Sequence, residues 1–165
     1  SSNDRSKLMG EYELELSQSD DFNTGIARLH HVYGPYSDYT SATGLVVASL
    51  IGRTLTLTSS SLVVWGSGQQ YRDFIYISDV IDALLRMPHQ GLNQGIFEIG
   101  TSKATPIGNL ARAVIEIAAT MTDRQLSITF DSSQPEERGG KVATIDRAKH
   151  LLGWTPKVNL KEGIA

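Results

Sequence analysis

Two hydrophobic periodicities alternate along the chain, and together they predict strands interleaved with helices. Apolar residues at helical spacing predict a helix over Lys7–Leu16. Short runs rich in β-branched and aromatic residues predict strands elsewhere. These runs are Gly25–Tyr33, Leu55–Leu57, Leu62–Trp65, Phe74–Ile77, Gly95–Gly100 and Leu126–Phe130. The alternation of helices and strands predicts an α/β or α+β fold.

The middle of the chain carries two further apolar segments that we interpret as helices. Leu45–Ile51 suits either a helix or a buried strand, and we favour the helix. Ser78 is predicted to cap the second helix, because its hydroxyl can accept a hydrogen bond from a free amide at the helix start. The residues that this helix is predicted to turn inward are Val80, Ile81, Leu84 and Leu85.

Cap and turn residues delimit the helices predicted in the last third of the chain. Thr105–Pro106 is typical of a helix start, because proline is tolerated at the first helical position. The apolar stripe predicted for that helix is Leu110, Val114, Ile117 and Met121. Thr144–Leu152 is predicted to be a helix capped by its first residue and ended by Gly153. Asn159 with Glu162 predicts the capping box of one more helix.

The composition restricts the class of protein. The chain has 165 residues, of which 40% are hydrophobic and 20% are charged, as in a single globular domain. It contains no cysteine, which excludes disulfides, thiolate metal ligands and cysteine nucleophiles. The formal net charge of −3 does not favour nucleic acid or an anionic membrane as a partner. We therefore expect a cytoplasmic protein without a signal peptide, a membrane span or a metal site.

A glycine turn followed by an arginine is the clearest candidate for a phosphate site. Gly66 and Gly68 allow a tight turn that leaves backbone amides free for a ligand. Arg72 follows this turn, and a guanidinium can bind a phosphate through two parallel hydrogen bonds. The alternative is a β-hairpin in which the arginine forms an ordinary surface ion pair with Asp73 or Asp79.

A second charged segment, Gln134–Lys141, carries Arg138 and Lys141 on either side of two glycines. These two cations are candidates for further contacts with a diphosphate. The alternative is a solvated charged loop with no ligand.

Two adjacent histidines and a group of tyrosines form the third candidate. His30 and His31 lie next to each other on a predicted strand, so they point to opposite faces and do not readily share one metal. One is predicted to be packed and the other to lie at a surface or cleft. Tyr33, Tyr36 and Tyr39 follow and are candidates for stacking on a base or sugar, or for anchoring a loop by aromatic packing.

Four segments, in order and with fitting spacing, resemble the extended short-chain dehydrogenase/reductase family, in particular its NAD-dependent nucleotide-sugar epimerases and dehydratases. They are Ser6–Glu11 (SKLMGE), Arg28–Pro35 (RLHHVYGP), Val64–Asp79 (VWGSGQQYRDFIYISD) and Ala143–Pro156 (ATIDRAKHLLGWTP). Looser matches are found at Gly95–Leu110 and Leu160–Ile164. The resemblance covers essentially the whole chain.

The resemblance implies the carboxy-terminal, substrate-binding part of a larger enzyme whose amino-terminal Rossmann domain binds NAD or NADP. Residues 1–34 are then expected to be the end of the Rossmann portion, and residues 35–165 mainly the nucleotide-sugar-binding domain. The strand at 95–100 is expected to return to the Rossmann sheet. This chain carries no glycine-rich strand-to-helix turn for a pyrophosphate. Alone, it is therefore expected to bind no NAD(P) and to be inactive.

The resemblance also implies roles for particular residues. Arg72 is expected to contact the diphosphate of the substrate, with Arg138 as the second arginine. The full set of expected substrate-binding residues is His31, Val64, Gln70, Arg72 and Arg138, with Val46–Leu50 beside the base. Lys7 corresponds to the catalytic lysine that also holds the nicotinamide ribose of the cofactor.

Two positions depart from the family pattern. The catalytic tyrosine of the family lies four residues before the lysine, and here that position is Asn3. Without the hydroxyl, this position has no general acid/base to exchange a proton with the sugar oxygen. His31 stands where the family has an asparagine at the sugar-nucleotide cleft, which places the substrate contacts there in question.

The expected function is therefore recognition of a nucleoside diphosphate sugar within an epimerase or dehydratase that works by transient hydride transfer to NAD(P). The Trp65–Gly66 pair resembles that of enzymes acting on GDP-sugars, which slightly favours a GDP-sugar, such as GDP-mannose, over UDP- or dTDP-sugars. One alternative is a non-catalytic module, derived from the same family, that binds a nucleotide or a protein. Another is a substrate without a diphosphate, such as a hydroxysteroid or flavonoid, which the Arg72 loop disfavours.

The predicted strands Gly25–Tyr33 and Gly95–Gly100 also bear on assembly. Separated from a Rossmann sheet, they are expected to expose unpaired edges and an apolar face. The chain is therefore expected to form a homo-oligomer, in the simplest case a dimer.

Overall fold

The computed structural model describes residues 2–40, 44–122, 124–134 and 140–165, and leaves out the side chains of Ser2 and Asn3. Within these ranges the helices are Ser2–Leu16 (α1), Val46–Thr56 (α2), Ile77–Gln90 (α3), Ile107–Met121 (α4), Asp146–Leu151 (α5) and Leu160–Ile164 (α6). The strands are Ile26–Leu29 (β1), His31–Tyr33 (β2), Ser61–Trp65 (β3), Tyr71–Arg72 (β4), Phe74–Tyr76 (β5), Ile96–Ile99 (β6), Thr105–Pro106 (β7) and Ser127–Asp131 (β8). The predicted mixed α/β fold is confirmed.

The strands of the described ranges form four separate pairs. β1 pairs with β6, β2 with β5 and β3 with β8, and all three of these pairs are parallel. β4 pairs with β7 in antiparallel orientation. Because β3 and β4 bond to different partners, the hairpin alternative for the glycine turn between them is wrong.

Two clusters of buried side chains form the core. The first lies between β3, α2 and α4 and includes Leu50, Leu62 and Leu110. The second surrounds Phe97 and Trp154, both of which are fully buried. The indole Nε1–H of Trp154 donates to the backbone carbonyl of Asp79 at 2.9 Å, so its polar atom is satisfied inside the core.

The predicted strand Gly25–Tyr33 is interrupted at His30. The backbone N–H of His30 donates to the carbonyl of Ile99 at 3.0 Å, whereas that of His31 donates to the carbonyl of Asp73 at 3.0 Å. Consecutive amides therefore bond to different strands. At this point the chain leaves β1, which pairs with β6, and enters β2, which pairs with β5. The predicted strand Leu55–Leu57 is wrong, because α2 continues through Thr56.

The buried face of α3 also differs from the prediction. Ile81, Leu84 and Leu85 are exposed instead of turned inward. The residues that α3 buries are Asp79, Val80, Ala83 and Met87. The reason is tertiary, because Trp154 belongs to the same cluster as three of these residues and covers this face from a distant part of the chain.

Three of the predicted helix caps are not used. α3, α4 and α5 are preceded by Tyr76, Pro106 and Ile145, none of which makes a side-chain capping bond. Backbone contacts take over at α4, where the first amides donate to carbonyls of the glycine turn. The capping box of Asn159 and Glu162 at α6 is confirmed. In the predicted stripe of α4, Met121 is exposed.

Candidate functional site

The glycine turn after β3 requires its glycines. Gly66 has φ 80° and Gly68 has φ 75°, a left-handed conformation that other residues adopt only with strain. A Cβ added at Gly68 would lie 2.2 Å from the ring of Phe130, so the turn packs directly on β8. The predicted tight turn is therefore present, and it leads into β4, where Arg72 lies.

Arg72 is partly buried at the end of β4, and its guanidinium donates to the carbonyl of Tyr71 at 2.8 Å. The aspartates that were expected to compete for it on the surface, Asp73 and Asp79, are buried. The Asp79 carboxylate accepts from the amides of Lys157 and Val158, both at 3.0 Å. Because both aspartates are buried, the alternative of a surface ion pair between Arg72 and Asp73 or Asp79 is wrong.

His31 lies close to the arginine in the fold. Its amide donates to the carbonyl of Asp73, the residue after Arg72, and its ring centroid is 5.8 Å from that of Phe74. The side chain of His31 is exposed, whereas the side chain of His30 is only 13% exposed and lies 4.0 Å from Glu98. The prediction of one packed and one exposed histidine is confirmed.

The described end of the second charged segment, Gly140 and Lys141, lies beside β4. Arg138 itself lies outside the described residues, so its expected role stays a prediction. Gly140 lies against β4, because a Cβ added there would be 2.0 Å from the carbonyl oxygen of Tyr71. Lys141 follows and is exposed. The end of the second loop therefore runs beside the arginine of the first.

Val64 is only 2% exposed, so its side chain belongs to the core, and its expected contact with the substrate stays a prediction. The exposed side chains of β3 are those of Val63 and Trp65, which alternation along the strand places on the opposite face. Arg53 donates to the carbonyl of Val63. The apolar run Val46–Leu50 is likewise mostly buried. A ligand beside this strand would meet Trp65, which the period-two alternation of β3 could have identified.

Gln70 belongs to the glycine turn. Its Nε2 donates to the carbonyl of Trp65 at 3.0 Å and spans the turn. Its Oε1 is buried and has no hydrogen-bond partner among the described residues. Its backbone carbonyl accepts from the amide of Ile107 at 2.9 Å. The geometry makes Gln70 a residue that holds the turn, with one acceptor unsatisfied.

Lys7 is exposed on α1, four residues before Glu11 and on the same helix face. Glu11 accepts two hydrogen bonds from Arg28 of β1, at 2.8 and 2.6 Å. These bonds hold the pKa of the Glu11 carboxyl below its usual range and raise the pKa of Arg28. In the described part of the chain no hydrogen bond joins Lys7 to the group around Arg72.

A separate cavity of about 350 Å³ opens at the carboxyl ends of β2 and β5. Tyr33 and Tyr39 line it, whereas Tyr36 is fully exposed. Burial raises the pKa of the Tyr33 phenol. None of the described residues that line this cavity is a lysine or an arginine, so it is poorly suited to a diphosphate.

The described residues contain no helix long and apolar enough to cross a membrane. They also contain no group of three or more histidine, aspartate or glutamate side chains arranged to hold a metal ion.

Comparison with known proteins establishes the family. The profile of the NAD dependent epimerase/dehydratase family matches residues 3–100, more than half of the chain. UDP-glucuronic acid decarboxylase 3 of Arabidopsis thaliana is 32% identical over 139 residues, which cover 84% of this chain. The chain therefore belongs to the NAD dependent epimerase/dehydratase family, and the resemblance to extended short-chain dehydrogenases/reductases is confirmed.

Two further similarities extend this result. GDP-mannose 3,5-epimerase 1 of Oryza sativa subsp. indica is 27% identical over 84% of this chain. The crystal structure of UDP-glucose 4-epimerase from Thermotoga maritima, which contains UDP-glucose, superposes with a TM-score of 0.78 over 96% of this chain at 30% identity. This chain spans 38% of the Arabidopsis decarboxylase, 35% of the rice epimerase and 49% of the Thermotoga chain.

The glycine turn is not the strand-to-helix turn that binds a pyrophosphate in a Rossmann domain. The glycine turn leads into β4 instead of a helix. The nearest helix start, at α4, has its first amides engaged, because Ile107 donates to Gln70 and Gly108 donates to Gly68, both at 2.9 Å. These amides are not available to a pyrophosphate.

Proposed function

We propose that this chain contributes the recognition of a nucleoside diphosphate sugar to an NAD(P)-dependent epimerase or dehydratase. The observation that carries the proposal is the place of Arg72. It follows a glycine turn, precedes a buried aspartate and lies beside the returning loop at Gly140. A guanidinium held in this way can bind a diphosphate through parallel hydrogen bonds.

The surroundings of Arg72 support an anionic ligand. Lys141 is exposed directly after Gly140, at the point where the second loop contacts β4. Arg138 belongs to the same loop and is proposed as the second arginine. His31 begins β2, whose partner strand β5 starts two residues after Arg72, and it is proposed to contact the sugar or the phosphate.

The nucleotide base is proposed to meet the exposed face of β3. Trp65 is 55% exposed there, and an indole face is a platform on which any base can stack. Stacking tolerates every base, so the slight preference for GDP remains a prediction. The relatives include proteins named for UDP-glucuronic acid and for GDP-mannose.

Hydride chemistry is assigned to the intact protein and not to this chain. NAD(P) would accept and return a hydride at the sugar, whereas the residues described above bind and orient the substrate. Lys7 is proposed as the catalytic lysine, and Asn3 in the tyrosine position leaves this chain without the proton-transferring hydroxyl. Asn3 also favours the second candidate function, a non-catalytic nucleotide-binding or protein-binding module of the same family.

Calorimetric titration of the chain with GDP, UDP and dTDP tests the proposal. Binding of at least one nucleotide is expected, and Arg72→Ala is expected to weaken it about 10- to 100-fold, as for loss of a hydrogen bond to a charged group. Lys161→Ala is the matched control, because it removes an exposed cation that pairs with Glu116 away from the site. Equal binding by Arg72→Ala and the parent chain, or no binding of any nucleotide, contradicts the proposal.

A further inference from the structure

The carboxylate of Asp73 is completely buried and accepts four hydrogen bonds. Oδ1 accepts from the amide of Thr101 at 2.8 Å and from its hydroxyl at 2.5 Å. Oδ2 accepts from the amide of Ser102 at 2.9 Å and from the amide of Ala143 at 3.0 Å. Four donors match the four acceptor positions of an ionised carboxylate, and none of these four donors carries a charge.

These bonds join three segments that are far apart in the sequence. Asp73 follows Arg72, Thr101 and Ser102 form the turn after β6, and Ala143 follows the loop that contains Lys141. The hydroxyl of Ser102 also donates to the carbonyl of Ala143 at 2.7 Å, so the second and third segments are bonded to each other as well.

Close packing supports the same junction. A Cβ added at Gly100 would lie 2.7 Å from Oδ2 of Asp73 and 2.5 Å from the Cβ of Ala143. Only a residue without a side chain allows the turn after β6 to approach both partners. The backbone carbonyl of Asp73 meanwhile accepts from the amide of His31.

Asp73 therefore lies next to, or is bonded close to, each residue of the described chain that is proposed to contact the phosphate. Arg72 precedes it directly, the strand of His31 is bonded to its carbonyl, and the second loop ends on its carboxylate at Ala143. The carboxylate thus links the residue after Arg72 to the residue two positions after Lys141.

We propose that Asp73 is a positioning residue for the diphosphate. It acts indirectly, by fixing the position of the strand of Arg72 relative to the loop of Lys141. This inference rests on the proposed function. Asp73→Asn keeps the size of the side chain but replaces one oxygen by an NH₂ group, which meets two of the four donors in either orientation. An NH₂ group in place of Oδ1 loses the bond from the amide of Thr101, whereas an NH₂ group in place of Oδ2 loses the bonds from the amides of Ser102 and Ala143.

Titration with UDP and GDP measures the consequence. Asp73→Asn is expected to weaken binding of the preferred nucleotide at least tenfold. Lysine cannot make the two parallel hydrogen bonds of the Arg72 guanidinium. If Asp73 acts by positioning that guanidinium, Asp73→Asn is expected to weaken binding less than about twofold in an Arg72→Lys background, because the effects of coupled sites are not additive. An equal loss in both backgrounds indicates a merely structural role and overturns the proposal, as does unchanged binding in Asp73→Asn.

A milder pair of variants decides the matter if Asp73→Asn does not fold. Thr101→Val removes one hydroxyl donor to Asp73 and keeps the shape and the backbone amide of the residue, whereas Thr101→Ser keeps the donor. The proposal is supported if Thr101→Val binds the nucleotide more weakly than the parent chain and Thr101→Ser binds it normally. The loss of affinity caused by Thr101→Val must also be smaller in the Arg72→Lys background. Binding by Thr101→Val equal to that of the parent chain overturns it.

Amide hydrogen exchange separates this inference from the proposed function. In Asp73→Asn, either the amide of Thr101 or the amides of Ser102 and Ala143 are expected to exchange at least tenfold faster than in the parent chain. The amide of Leu110 in α4 is the control and is expected to exchange at an unchanged rate. Unchanged exchange at all three amides, with nucleotide binding intact, overturns the role of Asp73 alone. Failure of the parent chain to bind UDP, GDP or dTDP overturns the proposed function, and the role of Asp73 in recognition with it.

Discussion

Gly140 and Tyr71 are in direct backbone contact, since a Cβ added at Gly140 would lie 2.0 Å from the carbonyl oxygen of Tyr71. Tyr71 belongs to β4, which is itself paired with β7, so the carbonyl has little freedom to move away. The end of the second charged loop is thus seated beside Arg72 by a contact that only glycine permits.

Gly140→Ala is therefore expected to lower the free energy of unfolding by about 1–3 kcal/mol, the usual cost of forcing an extra group into a packed site. It is also expected to weaken binding of UDP or GDP, because the loop moves away from Arg72. Urea denaturation and calorimetry measure the two effects. Gly10→Ala in α1 is the control, because nothing lies within 4 Å of the added Cβ, and it is expected to stabilise by roughly 0.5–1 kcal/mol. Equal stability of Gly140→Ala and the parent chain contradicts the prediction.

Tyr33 is expected to make stability depend on alkaline pH. Burial raises its pKa, so the folded chain holds the phenolic proton more tightly than the unfolded chain does. The resulting stability is fully present below the unfolded pKa of about 10 and is lost as pH rises above that value. Urea denaturation between about pH 8 and 11 is expected to show a shallower loss in Tyr33→Phe than in the parent chain.

The control for Tyr33 is Tyr36→Phe, because the side chain of Tyr36 is fully exposed. This variant is expected to keep the alkaline slope of the parent chain. Identical slopes in all three proteins would show that the environment of Tyr33 does not favour its protonated form.

Trp154 is expected to be a principal contributor to stability. It is fully buried and its indole N–H is bonded to the carbonyl of Asp79. Trp154→Phe leaves a cavity and removes that donor, and it is expected to cost about 2–4 kcal/mol in urea denaturation. Trp65→Phe at the exposed face of β3 is the matched substitution and is expected to cost less than about 0.5 kcal/mol. Similar costs at the two positions would contradict the burial of Trp154.

The exposed residues Ile81, Leu84 and Leu85 of α3 form an apolar surface, which we call the α3 surface. Together with the open edges of the β1–β6 pair, it is expected to drive self-association at micromolar concentration. Leu85→Lys is expected to reduce the average mass in sedimentation velocity, whereas Leu151→Lys, on an exposed leucine of α5, is expected to leave it unchanged. A parent chain that sediments as a monomer contradicts the prediction.

The local pattern predicted most elements, because each period reports which face of a segment is apolar. β3, β5, β6 and β8 lie within about one residue of the predicted runs, and the capping box at α6 is present as predicted. The break at His30 was not predictable, because nothing in RLHHVY indicates that consecutive amides bond to two different strands.

The candidate site was only partly predictable. The positions of Gly66, Gly68 and Arg72 along the chain marked a turn followed by a cation, and the structure has that turn. The burial of Val64 was not predictable, because the register of β3 against β8 decides which face is buried. The importance of Asp73 was not apparent either, because its four donors come from residues 101, 102 and 143.

By itself, the sequence determined the class of elements, the glycine turn before Arg72 and, through its motifs, membership of the NAD dependent epimerase/dehydratase family. These features depend on local periodicity, backbone sterics and residue identity, all of which can be read along the chain. Only the tertiary structure decided which face of α3 is buried, where the second loop is seated and what Asp73 bonds to. Each of these depends on contacts between segments far apart in the sequence, whose geometry arises only when the core of Trp154 and the parallel strand pairs form together.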